Sequence, residues 1–73
     1  MSKVVVLGAG QWGTTMAQVL CDAGNHVLMW GRNQDVVDEI NSKHTNSKYL
    51  DDSVLPVGLR ATTDLKEAFD YSN

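Results

Sequence analysis

Apolar and polar positions alternate along this chain in blocks whose period changes from block to block. Val4, Val5, Val6 and Leu7 form an unbroken, largely β-branched apolar run. That pattern predicts a strand buried on both faces, as in a parallel sheet. Gly8 and Gly10 end the run. From Trp12 the spacing becomes helical, with Trp12, Met16, Val19, Leu20 and Ala23 on one stripe,. Gly24 and Asn25 tolerate the left-handed backbone of a helix end and predict the stop. Val27, Leu28, Met29 and Trp30 then read as a second buried strand. Asn33 predicts a helix cap, followed by Val36, Val37 and Ile40 facing inward and Asp35, Asp38 and Glu39 facing water. Residues 41–58 are rich in Asn, Ser, Asp and Lys, with Pro56 the single proline, and read as a linker,. Leu59 to Thr62 predict a third strand, and Thr63 or Asp64 caps a last helix through Glu67, Ala68 and Phe69. The order strand, helix, strand, helix, strand, helix is that of an α/β parallel sheet with right-handed crossovers.

Composition narrows the class. At 73 residues and 42% hydrophobic content the chain reads as a globular segment of at most one small domain,. Cys21 is the single cysteine, so an internal disulfide framework is excluded,. The longest apolar run falls far short of a membrane span, and Gly8 and Gly10 interrupt it too early for a secretory signal. Nine acids against six bases give a net charge of −3 with no dense basic cluster, which argues against nucleic acid as a partner,. The excess acid lies in residues 51–73; residues 1–50 are balanced and do not repel an anionic ligand.

The first strand is followed by Gly8-Ala9-Gly10-Gln11-Trp12-Gly13, a G-x-G-x-x-G string. Between a strand and an amphipathic helix, this string predicts a dinucleotide-binding turn. Gly8 permits the tight turn, Gly10 lets a pyrophosphate approach the backbone, and Gly13 lets the helix pack closely on the sheet. Free amides at the helix start then favour the phosphate charge, and the backbone N–H groups of Gln11 and Trp12 are expected to meet it. The Trp12 indole has two readings: it lies over the cofactor's phosphates or ribose, or it opens the core stripe. The inward position is the expectation.

The end of the second strand reads Trp30-Gly31-Arg32-Asn33. A site selective for NAD usually places Asp or Glu there, against the ribose 2′-hydroxyl. Here no carboxylate repels a 2′-phosphate, and the Arg32 fork can grip one, so NADPH is expected to be accepted, with or without NADH.

Several blocks together resemble one family. G-A-G-x-W-G-T at 8–14, W-G-R-N at 30–33, Asn46 with Tyr49-Leu50, Leu55-Pro56, and Leu59-x-Ala61-Thr62-Thr63-Asp64-Leu65-x-Glu67-Ala68 are similar to the start of bacterial glycerol-3-phosphate dehydrogenases [NAD(P)+]. The resemblance implies the first βαβαβ half of a Rossmann-type NAD(P)-binding domain in residues 1–73, with a helical substrate domain outside this chain. It implies a cytoplasmic, homodimeric oxidoreductase that interconverts dihydroxyacetone phosphate and sn-glycerol 3-phosphate for phospholipid synthesis. It also implies cofactor contacts at Gln11, Trp12, Arg32, Asn33 and Tyr49. Gln11 stands where the family has Ser, and Asp51-Asp52 replaces the usual Pro-Gly after Leu50. Other dehydrogenases with the same turn, of 3-hydroxyacyl-CoA or 6-phosphogluconate type, and a non-catalytic NAD(P)-sensing module are the alternatives.

No residue reads as catalytic. Cys21 sits inside the first helix with no neighbouring His and is expected to be a packed thiol. His26 and His44 match no metal-ligand spacing and are expected at surface or capping positions. Asp51 and Asp52 are expected to point apart into water. With half a sheet, the segment is expected not to fold cooperatively alone.

Overall fold

The computed structural model describes residues 2–49 and 54–71; Leu50, Asp51 and Asp52, singled out above, lie outside the described residues. Strand β1 spans Lys3–Leu7, helix α1 Gln11–Asp22, strand β2 His26–Trp30, helix α2 Gln34–Lys43, strand β3 Leu59–Thr62 and helix α3 Leu65–Tyr71. The three strands form one parallel sheet in the order β1-β2-β3. Leu7 pairs with Trp30 and Trp30 with Thr62, so the three carboxyl ends are level. The element order and the parallel sheet are as the hydrophobic pattern predicts.

Local chemistry fixes most element ends. The Asn33 side chain accepts from the amides of Asp35 at 2.9 Å and Val36 at 3.3 Å, capping α2. Asp64 does the same for α3, accepting from Lys66 at 2.9 Å and Glu67 at 3.3 Å. Gly24 takes φ +97° after α1, and His44 takes φ 57° as the left-handed C-cap of α2,.

Side-chain alternation along β2 divides the core. Val27 and Met29 pack with Leu59 and Ala61 against Ala17 of α1 and Val36, Val37 and Ile40 of α2,. Leu28 is buried on the opposite face, where α3 lies against all three strands and buries Ala68. Strand β2 is therefore covered on both sides. Strand β1 differs from expectation: Val4, Val5 and Val6 are half-buried and Leu7 is exposed, because β1 is an edge strand among the described residues.

The α1 stripe also differs. Thr14 and Ala17 are the buried residues, with Leu20 and Cys21 partly buried against the core. Trp12, Met16 and Val19 are exposed, at 74, 40 and 59%. Helix and sheet approach so closely at Gly13 that only small side chains fit between them, and the bulky residues are turned to the far side. The described part of residues 41–58 is likewise no free linker. Helix α2 continues through Lys43, Asn46 and Leu55 are buried, and Leu55 N–H donates to His44 C=O at 2.6 Å.

Candidate functional site

Chain and sheet geometry open a cleft at the carboxyl ends of β1 and β2. The backbone leaves β1 at Gly8 with φ +129°, a region that L side chains rarely adopt, and Gly8 N–H donates to Trp30 C=O at 2.7 Å,. Gly10 is the N-cap of α1. Among the described residues no side chain caps that terminus, and no acidic residue stands in its first turn. The helix therefore points uncapped amides and the positive end of its dipole at the space above the turn.

The opposite wall is the segment after β2. Arg32 and Asn33 face the turn across a cleft of about 290 Å³, with Trp30 and Val36 beside them and Tyr49 closing one side. Among the described residues, no carboxylate lines this cleft. Arg32 is exposed and engages no carboxylate among the described residues. Tyr49 is 39% exposed, and the Lys48 ammonium stands 5.6 Å from its ring centroid. Asn33 lines the cleft while its carbonyl oxygen is committed to capping α2, so toward the cleft it has only its NH₂ to donate,.

Gly8, Gly10, Arg32, Asn33 and Tyr49, singled out from the sequence, thus meet in one cleft. Gln11 and Trp12 stand in the first turn of α1 with exposed side chains and are not among the cleft lining. The inward indole expected for Trp12 is corrected: the Gly13 contact leaves no room for it beneath the helix. Gly13 lies under the turn, where a Cβ would meet the Gly8 carbonyl oxygen at 2.5 Å.

Three further contributors stand in the family-like sequence blocks, where nothing signals that they hold the turn. Gly31 abuts the turn, since a Cβ there would stand 2.7 Å from the Ala9 methyl group. Thr14 donates its hydroxyl to Ala9 C=O at 3.3 Å. Asn46, fully buried, donates its amide to Ala9 C=O at 3.0 Å and to Thr14 Oγ1 at 2.8 Å. Around Asn46, Glu39 accepts from Thr45 Oγ1 at 2.5 Å, Ser47 N–H at 2.8 Å and Ser47 Oγ at 3.0 Å. These bonds, led by the Thr45 hydroxyl, hold the Glu39 carboxyl below the usual carboxylate range,.

Other reactive groups lie apart from the cleft. Cys21 packs against the core, where burial, and secondarily Asp22, pushes its thiol pKa up. His26 is exposed at the start of β2. Among the described residues no three potential metal ligands come together, and no helix is long and apolar enough to cross a membrane.

The family described as "NAD-dependent glycerol-3-phosphate dehydrogenase N-terminus" matches residues 3–73. This chain belongs to that family. A glycerol-3-phosphate dehydrogenase [NAD(P)+] of an Exiguobacterium species is 60% identical over 70 residues, covering 96% of this chain and 20% of the relative. The Staphylococcus aureus enzyme of the same name is 48% identical over 73 residues, covering 100% of this chain and 22% of the relative. The crystal structure of glycerol-3-phosphate dehydrogenase from Coxiella burnetii superposes with a TM-score of 0.86 at 37% identity, over 96% of this chain and 22% of that one. The Plasmodium falciparum enzyme gives 0.87 at 32% identity, over 97% and 22%. The chain thus spans about a fifth of the length of the curated relatives it matches.

The cleft is suited to the dinucleotide of the family. An uncapped helix start is favourable to a phosphate charge, and among the described residues the cleft lining holds no carboxylate and Arg32 engages none,.

Proposed function

We propose that residues 1–73 form the pyrophosphate- and adenosine-binding half of the NAD(P) site of a glycerol-3-phosphate dehydrogenase, the helical substrate domain being supplied by sequence outside this chain. The observation that carries the reading is the uncapped N-terminus of α1 beside a cleft whose described lining residues include Arg32 and no carboxylate, in a chain of this family. The backbone from Gly8 to Gly13, including the amides of Gln11 and Trp12, holds the pyrophosphate. Arg32 takes the adenosine ribose end and its 2′-phosphate when one is present, so NADPH is bound, and NADH also fits because neither wall selects against it. Asn33 donates its amide into the cleft, and Tyr49 offers its ring to the adenosine part,.

When bound, the cofactor supplies the reducing equivalents for interconversion of dihydroxyacetone phosphate and sn-glycerol 3-phosphate. The residues of this chain bind and orient it; none of them is assigned a catalytic role. The whole enzyme works in the cytoplasm, as a homodimer. The test is an assay of the intact polypeptide that carries residues 1–73, with dihydroxyacetone phosphate and each reduced cofactor in turn. Oxidation of NADPH or NADH that requires dihydroxyacetone phosphate is the expected result. Nucleotide binding without turnover would leave a sensing module in its place, and no nucleotide binding would remove the cleft from the site.

A further inference from the structure

We propose that Glu39 is a positioning residue for the nucleotide turn, acting through Asn46. This rests on the nucleotide site described above. Three observations carry it. The Asn46 amide spends one N–H donor on the turn, at Ala9 C=O, and one on the helix that follows it, at Thr14 Oγ1, from a fully buried position. The residues on either side of Asn46, Thr45 and Ser47, are fastened to the Glu39 carboxylate by three hydrogen bonds of 2.5 to 3.0 Å. The same short segment carries Tyr49 into the cleft, its N–H donating to Asn46 C=O at 3.1 Å.

The chain of contacts runs in one direction. Glu39 sits on α2, whose position is set by the burial of Val36, Val37 and Ile40 in the core. From that fixed helix the carboxylate clamps the backbone and both hydroxyls that flank Asn46. Asn46 then reaches from the loop to the carbonyl between Gly8 and Gly10, 37 residues earlier in the chain. A glycine-rich turn is permissive in φ and ψ and loses much conformational entropy when it is ordered. An amide anchored elsewhere and bonded to the Ala9 carbonyl removes that freedom before the ligand arrives, so less ordering remains to oppose binding. Glu39 is not a lining residue of the cleft, and its hydrogen bonds among the described residues go to Thr45 and Ser47; its effect reaches the nucleotide through Asn46 and Tyr49.

The experiment compares the intact polypeptide with its Glu39→Gln and Asp38→Asn variants by calorimetric titration with NADPH and by steady-state kinetics. Glu39→Gln keeps one acceptor oxygen but turns an NH₂ toward donors of the clamp. Asp38→Asn removes the same charge from the preceding position of α2, where among the described residues the carboxylate accepts from Gln34 of its own helix alone. Glu39→Gln is expected to raise the Kd and the KM for the nucleotide about fivefold, the worth of roughly one hydrogen bond. The kcat and the KM for dihydroxyacetone phosphate stay within about twofold, a split that general loss of folded protein would not produce. Asp38→Asn is expected to match the parent. If Glu39→Gln does not fold, Ser47→Ala carries the same test, removing one exposed hydroxyl from the clamp with an expected two- to threefold rise in nucleotide KM. Equal nucleotide affinity in the parent, Glu39→Gln and Ser47→Ala would overturn the role of Glu39 and leave the site intact. A parent that binds no nucleotide would overturn the site, and this role with it.

Discussion

Gly13 lies so close beneath Gly8 that a methyl group on it would stand 2.5 Å from the Gly8 carbonyl oxygen and 3.0 Å from the carbonyl carbon. Both atoms belong to backbone, so neither can swing away as a side-chain tip could. Gly13→Ala must push α1 off the sheet and is expected to cost about 1–3 kcal/mol of stability, the usual range for overpacking. Gly10→Ala supplies the contrast. Its Cβ meets nothing within 4 Å, so only the preference for Gly over Ala at an N-cap is lost, about 1 kcal/mol or less,. The Gly10 methyl group nevertheless fills the approach to the uncapped amides. Urea titrations and NADPH titrations of the intact polypeptide should therefore separate the two variants. Gly13→Ala is the less stable, while Gly10→Ala stays stable and binds nucleotide weakly.

Arg32 is the cation of the cleft, and its guanidinium engages no carboxylate among the described residues. Removing it should act on the ligand's charge more than on the fold. Arg32→Ala is expected to lower NADPH affinity about tenfold, as for a lost charge-assisted hydrogen bond, with NADH affinity within about twofold of the parent. Parallel titrations with the two cofactors at constant ionic strength check this. Unchanged NADPH affinity would place Arg32 outside the site.

Glu39 gives the fold a pH dependence of known sign. Hydrogen bonds from the Thr45 hydroxyl, the Ser47 amide and the Ser47 hydroxyl, with Lys43 nearby, favour its ionised form and lower its pKa in the folded chain. The stabilisation is fully present above the ordinary value of 4.5 and is lost as pH falls through the depressed folded value,. Thermal melts of the parent and Glu39→Gln across a pH series should show a gap in Tm that is widest near neutrality and closes on acidification. A gap that widens toward acid would contradict the clamp.

Cys21 has the opposite shift. Burial against the core, then the charge of Asp22, raises its thiol above the ordinary value of 9.0, and the thiolate is the reactive form,. Alkylation of the native protein by iodoacetamide at neutral pH is expected to run slower than alkylation of the denatured chain. Equal rates would mean that the thiol is freely solvated.

Which features the sequence discloses depends on how far apart the interacting residues stand. The caps at Asn33 and Asp64 act over two or three residues, and both are legible as polar residues opening an apolar helical pattern. The strands are legible because a parallel sheet demands continuous apolar runs. The inward face of α1 is not, because hydrophobic spacing favours the bulky Trp12, Met16 and Val19 while the packing distance is set by two glycines. That distance admits Thr14 and Ala17 instead. Asn46 stands in a family-like block, but its contacts are illegible for a different reason: it sits among other polar residues, and its partners Thr14 and Ala9 lie 32 and 37 positions away. Polar residues in a polar stretch carry no periodicity, so only the folded chain shows which one is buried.

Asn33 combines two roles that one substitution can separate. Its carbonyl oxygen caps α2 through the amides of Asp35 and Val36, and its NH₂ is left for the cleft. Asp is as good an N-cap as Asn and adds a favourable charge at the helix start, so Asn33→Asp should keep the stability or raise it by a few tenths of a kcal/mol. In the cleft the same change replaces a donor with a carboxylate, in a lining that has none among the described residues. Phosphate is repelled by it, and NADPH, with its extra phosphate, more than NADH. Asn33→Ala instead loses the cap, at about 1 kcal/mol, and brings no negative charge. Thermal melts and titrations with both cofactors should thus order the variants differently: Asn33→Asp the stabler, and Asn33→Ala the better at binding NADPH. If Asn33→Asp bound NADPH as tightly as the parent, the Asn33 side chain would serve α2 alone.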